Sequence, residues 1–174
     1  MPKPLHGKNL RLALGPAQWA ALRQRILTEA SNECSVCGVT PTHKAALHLH
    51  EEWEYDATVR PAVSRLSSLT LTCADCHAVE HLANAVLRAT AADEQAQWLR
   101  LQTQFCRVNG VGPKESEVRQ RIAFMVWTAR SALSWRIDLG EFDSMLSAAH
   151  CVLLELGEPV NFEQLEEEAF ENGV

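Results

Sequence analysis

Two cysteine pairs, Cys34-x-x-Cys37 and Cys73-x-x-Cys76, stand 35 residues apart. A two-residue spacer lets both sulfurs of one pair face the same ion, and four thiolates match the tetrahedron that zinc prefers. Such a site is structural, because four protein sulfurs leave no open position for a substrate. Cys76 runs directly into His77, and His81 follows four residues later. Residues i and i+4 share a helix face, so both imidazoles can reach one further ion. His50 precedes them, on the segment that reads as a strand. Cys106 and Cys151 fall at apolar helical positions and read as buried hydrophobes.

The elements that must position these residues can be read from patterning. Residues 1–13 are basic and loosely patterned and read as an arm. Gly15-Pro16 opens a helix to about Ala30, with Trp19, Leu22 and Ile26 at helical spacing. Cys34–Gly38 is a Gly-closed knuckle. Residues 46–56, ALHLHEEWEYD, read as a strand, Ala57–Pro61 as a turn, and Val63–Thr72 as a second strand. Ala74–Thr90 reads as a helix. Beyond residue 90 the periodicity is helical throughout: Ala92–Val108, Ser116–Ile137 and Glu141–Leu156. The face expected to be buried there carries Trp98, Phe105, Ile122, Met125, Phe142, Met145 and Leu153. His43 and His48 read as loop and strand-face residues.

The order strand, strand, helix, with a CxxCHxxxH run at the start of the helix, resembles the HNH endonuclease family in its four-cysteine variant. The resemblance covers residues 34–82. It implies an α+β fold: a small zinc-stabilised ββα-metal module with a flanking N-terminal helix and a C-terminal helical extension. The segments expected are an arm at 1–13, the module at 14–90, the extension at 91–160 and an acidic tail at 161–174. The resemblance further implies a metal-dependent nuclease. His50, His77 and His81 would hold a second divalent cation (Mg2+, Mn2+, Ni2+ or Zn2+) beside the structural zinc. Aligning Leu47-His48-Leu49-His50-Glu51 to the family strand puts Glu51 where the general base belongs. An alternative register makes His50 the base and leaves Leu49 at a ligand position. Ser68 occupies the place of the family's asparagine.

Charge divides the chain. Residues 1–50 hold six Lys/Arg against two Asp/Glu, and residues 91–174 hold seven against fourteen. A basic surplus is what phosphate contacts need, so Arg11, Arg23, Arg25 and Lys44 are the candidate nucleic-acid contacts. The acidic half disfavours nucleic acid and suits a protein partner. Two functions follow. One is an HNH endonuclease. The other is a catalytically degenerate scaffold acting as a binding regulator or inhibitor, such as a phage or plasmid anti-defence protein. No run approaches 18 apolar residues, and the first 19 residues show no h-region. These features predict no membrane partner and a cytoplasmic location.

Overall fold

The computed structural model describes residues 1–43, 46–82 and 93–146. It is a mixed α+β fold built on a small three-stranded sheet. Helix α1 spans Leu10–Glu29, β1 Leu47–Asp56, β2 Ala62–Cys73 and α2 Ala74–Glu80. Helix α3 spans Glu94–Asn109, α4 Pro113–Ser131, and a short β3 Trp135–Asp138. Among the described residues no helix is long and apolar enough to cross a membrane.

The Asn9 side chain caps α1 by accepting the Leu12 N–H at 2.8 Å. Gly15 interrupts the helix with φ +73°, a conformation favouring glycine, and Pro16 then occupies the first turn of the second piece. The helix expected after Pro16 is present, and helical residues precede it too. The first 13 residues differ from the arm expected there. Leu5, Leu10 and Ala13 are buried, and the Trp127 indole N–H donates to the Met1 carbonyl at 2.9 Å. The leucines among the basic residues drive this packing, since burying one is worth about 1.5–3 kcal/mol.

Strands β1 and β2 pair antiparallel, with His50 opposite Thr70 and a register shift between Glu52 and Trp53. Side chains alternate across a strand. Leu47, Leu49 and Trp53 of β1 therefore share one face with Leu69 and Leu71 of β2, and these residues belong to the core clusters under α1. His48, His50 and Glu52 share the opposite face with Thr70 and Thr72. The apolar half of this alternation packs against Leu22 and Leu27 of α1, which turns the polar half, with buried His50 and Thr72, to the face away from α1.

Past residue 90 the fold is not helical throughout. The helix expected over Ser116–Ile137 stops at Ser131, and Trp135–Asp138 pairs parallel to β2, Ala62 facing Trp135. Ile137 and buried Leu139 alternate inward, a period of two that suits a strand. Gly140–Met145 forms a 3₁₀ turn where a helix from Glu141 was expected, and residues 147–156 lie outside the described residues.

Helix α4 also differs from its expected burial. Ile122 and Met125 are 54% and 72% exposed, and Val118 and Phe124 are open too. Its inward side instead carries Ser116, fully buried, and Gln120, whose amide bonds Ser116 Oγ at 2.9 Å. Phe142 is buried as expected, Trp98, Phe105 and Met145 are half-buried, and Leu153 lies outside the described residues.

Candidate metal centre

The first knuckle is shaped by its own backbone. Ser31 and Asn32 take left-handed conformations (φ 53° and 57°) that turn the chain out of α1. The Cys34 N–H then donates to Val39 O at 2.9 Å, and the Gly38 N–H to Cys34 O at 2.9 Å. Gly38 sits at φ +72°, where a side chain would be strained. The loop is tied to the sheet because the Ser35 N–H donates to Leu71 O at 2.8 Å and Ser35 Oγ accepts the Leu71 N–H at 3.2 Å. The second knuckle is the end of β2 running into α2, which places Cys73 and Cys76 opposite the first pair.

Cys34, Cys37, Cys73 and Cys76 converge, with all four sulfurs within 4.8 Å of one another. Cys37 Sγ and Cys73 Sγ stand 3.7 Å apart. A tetrahedron with metal–sulfur bonds of about 2.3 Å has sulfur–sulfur edges of about 3.8 Å. A disulfide would need about 2.05 Å. The spacing therefore suits four ligands of one metal ion. The Cys73 N–H donates to Cys34 Sγ at 3.2 Å, and the Gln104 amide donates to Cys76 Sγ at 3.0 Å. Burial pushes the Cys73 and Cys76 thiols upward. Burial acts the same way on Cys37, but hydrogen bonds from the Val39 backbone and the neighbouring thiols outweigh it and bring Cys37 down to about 7.

A second cluster lies on the face of the hairpin opposite α1, where His50 is buried. His50, His77 and His81 each offer a ring nitrogen within 4.8 Å of the others, a set that can hold a metal ion. Ring centroids are 5.6 Å apart for His50–His77, 5.2 Å for His50–His81 and 4.7 Å for His77–His81. His50 comes from β1, His77 from α2, and His81 from the residue that caps the C-terminus of α2, where its N–H still donates to His77 O at 3.2 Å. The helix expected to run on to Thr90 ends at Glu80. Burial, then the neighbouring imidazoles, lowers His77 to about 4. Burial, then His50 and the chain's terminal amine, lowers His81 to about 4. Both rings are therefore neutral at pH 7, the form a metal ligand needs.

The structure places Glu51 elsewhere. Its carboxylate accepts the Arg11 N–H at 3.1 Å and the Trp53 indole N–H at 3.1 Å, on the α1 side of the sheet. Burial raises its pKa, partly offset by these donors. Adjacent strand residues point to opposite faces, so a carboxylate one position after His50 is turned away from the histidines. Glu52, the next residue of β1, is on the histidine face, with Oε1 accepting from Thr70 Oγ1 at 3.0 Å. Ser68 is opposite Glu52 in the register.

His48, expected only as a strand-face residue, stacks on His77 with centroids 4.6 Å apart and planes 10° from parallel. The signal that could have found it is its two-residue spacing from His50. Glu52 is legible by the same rule, whereas Gln104 has no local signal.

The expected phosphate contacts are scattered. Arg23 donates to Leu47 O at 2.6 Å, beside His48, whose pKa is lowered by burial and then by this guanidinium. Arg25 pairs with Glu29 at 3.9 Å on the open face of α1, Arg11 is exposed, and Lys44 lies outside the described residues. A cavity of about 370 Å³ at the turn end of the hairpin is lined by residues including Glu54, Asp56, Arg60, Arg65 and Arg136. Its lining residue nearest to His50 along β1, Glu54, is four positions away, roughly 13 Å at about 3.3 Å per residue. It does not reach the histidines.

Comparison with protein-family models, with curated proteins and with solved structures returned no match.

Proposed function

We infer that the chain is a metal-dependent endonuclease of the HNH type, in which a zinc ion on Cys34, Cys37, Cys73 and Cys76 holds the knuckles and a second divalent cation on His50, His77 and His81 serves the chemistry. The observation that carries this reading is the convergence of those three imidazoles beside the four-cysteine site, on a strand hairpin followed by a helix. When bound, the second ion would polarise a scissile phosphate and stabilise the leaving oxygen. His50, His77 and His81 would hold it in the neutral form. Glu51 is engaged with α1, so the proton acceptors supplied on this face by β1 include His48 and Glu52. Arg23, anchored at Leu47 O beside His48, is the cationic contact available next to this face.

Plasmid nicking with magnesium, manganese, nickel or zinc tests the reading. Cleavage should need an added divalent ion and vanish in His77→Ala while zinc stays on the cysteines. Equal cutting by His77→Ala and the parent would overturn it.

The exposed apolar face of α4 favours a second reading, a scaffold that binds a protein partner. Ile122 and Met125 stand open on it, and contiguous exposed apolar residues mark contact surfaces. Absence of cleavage with every metal, in protein that retains zinc, would favour this reading.

A further inference from the structure

Helix α3 belongs to the segment beyond the knuckles, yet it supplies a buried polar group to them. Gln104 is 8% exposed, and its amide has two partners of opposite demand. The Arg107 guanidinium donates to Gln104 Oε1 from Nη2 at 2.9 Å and from Nε at 3.3 Å. A guanidinium can only donate, so the amide oxygen must face Arg107. The amide Nε2 is thereby turned toward Cys76 Sγ, 3.0 Å away. A thiol is a weak acceptor and a thiolate a strong one. A buried amide donor held against this sulfur therefore suits a metal-bound thiolate.

The consequence reaches past the sulfur. Cys76 sits in α2, one residue before His77 and five before His81. A donor that fixes the Cys76 sulfur fixes the position of α2 against β1, which carries His50. A second tie between the same helices, Arg100 to Asp75 at 3.4 Å, is half-exposed and contributes little by itself.

We propose that Gln104, oriented by Arg107, is a positioning residue of the four-cysteine metal site, and that its N–H···S bond to Cys76 makes α3 part of that site rather than an appendage to it. This rests on reading the four cysteines as a metal site. Partners of this kind around a metal ligand typically change metal affinity by about 10–100-fold. Removing the donor leaves the Cys76 thiolate more electron-rich and less constrained, and leaves the Arg107 guanidinium without its acceptor.

The test uses the full chain with cobalt in place of zinc, read by its thiolate-to-cobalt charge-transfer absorption, together with the rate of zinc transfer to a chromophoric chelator. Gln104→Leu should move the absorption to longer wavelength and speed zinc release by about tenfold. Arg107→Leu, which keeps the amide but frees its orientation, should shift both readouts in the same direction by less. Thr103→Ala, one residue away and exposed, should leave both unchanged. A folded Gln104→Leu protein with the parent's spectrum and release rate overturns the proposal. If Gln104→Leu does not fold, parental values in Arg107→Leu overturn it. A parent chain that shows no thiolate-to-cobalt absorption overturns the metal reading itself, and the role of Gln104 with it.

Discussion

Glu52 Oε1 accepts a hydrogen bond from Thr70 Oγ1 at 3.0 Å, and Thr70 is the cross-strand partner of His50. That bond holds a carboxylate on the histidine face of the hairpin. The neighbouring Glu51 serves α1 instead, so the two carboxylates should fail differently. Glu51→Ala leaves the Arg11 N–H and the Trp53 indole without their acceptor. It should cost about 1–3 kcal/mol of stability in urea denaturation, with metal content unchanged. Glu52→Ala should leave stability nearly intact and, under the nuclease reading, lower cleavage by about 10²-fold or more. The reverse pattern would return the proton-accepting role to Glu51.

The zinc reading predicts one tightly held zinc per chain on the four cysteines. Structural zinc carries folding free energy, so Cys73→Ser should lose the metal and most of the cooperative unfolding transition. Elemental analysis of freshly purified parent protein should give at least one zinc per chain. Mild chelation should remove the ion at the histidines first. A chain free of zinc yet cooperatively folded would end this reading.

With the histidine site stripped of metal, stability should depend on pH in a defined window. His77 and His81 take up protons near pH 4 in the folded chain, against an ordinary value of 6.5. Between these values the unfolded chain binds more protons, so stability falls as pH falls. The contribution is fully present above about pH 6.5 and is lost toward pH 4. The raised carboxyls of Glu51 and Glu80 act in the opposite sense, so the difference between parent and a non-titrating variant is the quantity to measure. Between pH 7 and 5 the urea midpoint of His77→Gln should fall less than that of the parent. Parallel curves would exclude His77 as a source of the dependence.

Local spacing made much of the site legible. The knuckles, the hairpin and the approach of His77 and His81 each depend on residues a few positions apart. Glu52 is legible by the same alternation that selects His50, whereas the family pattern laid on this strand points to Glu51. What could not be read were pairings between distant segments. Nothing near Trp135 says that it will lie beside Ala62, and nothing near Gln104 says that it will meet Cys76. Periodicity also does not say which side of a helix the fold will use. In α4 the apolar stripe is present as expected, but the core takes the side with Ser116 and Gln120.

That reversal supports a prediction about α4. Ile122 and Met125 are 54% and 72% exposed, so a charge there displaces little apolar contact. Substitutions at such surface positions usually stay within about 0.5 kcal/mol. Ile122→Glu and Met125→Glu, made in the full chain, should therefore leave the melting temperature within a few degrees of the parent. They should also lower binding of a hydrophobic dye, because the contiguous apolar face is interrupted. Leu22→Glu is the contrasting variant. Leu22 is 3% exposed in the core between α1 and the sheet, and an uncompensated charge there should abolish folding. If Met125→Glu destabilises the chain as Leu22→Glu does, the α4 face is covered in the full protein. The exposed surface would then not be available to a separate protein partner. If Met125→Glu is tolerated and the dye signal falls, the face is open in solution and remains the place to look for such a partner.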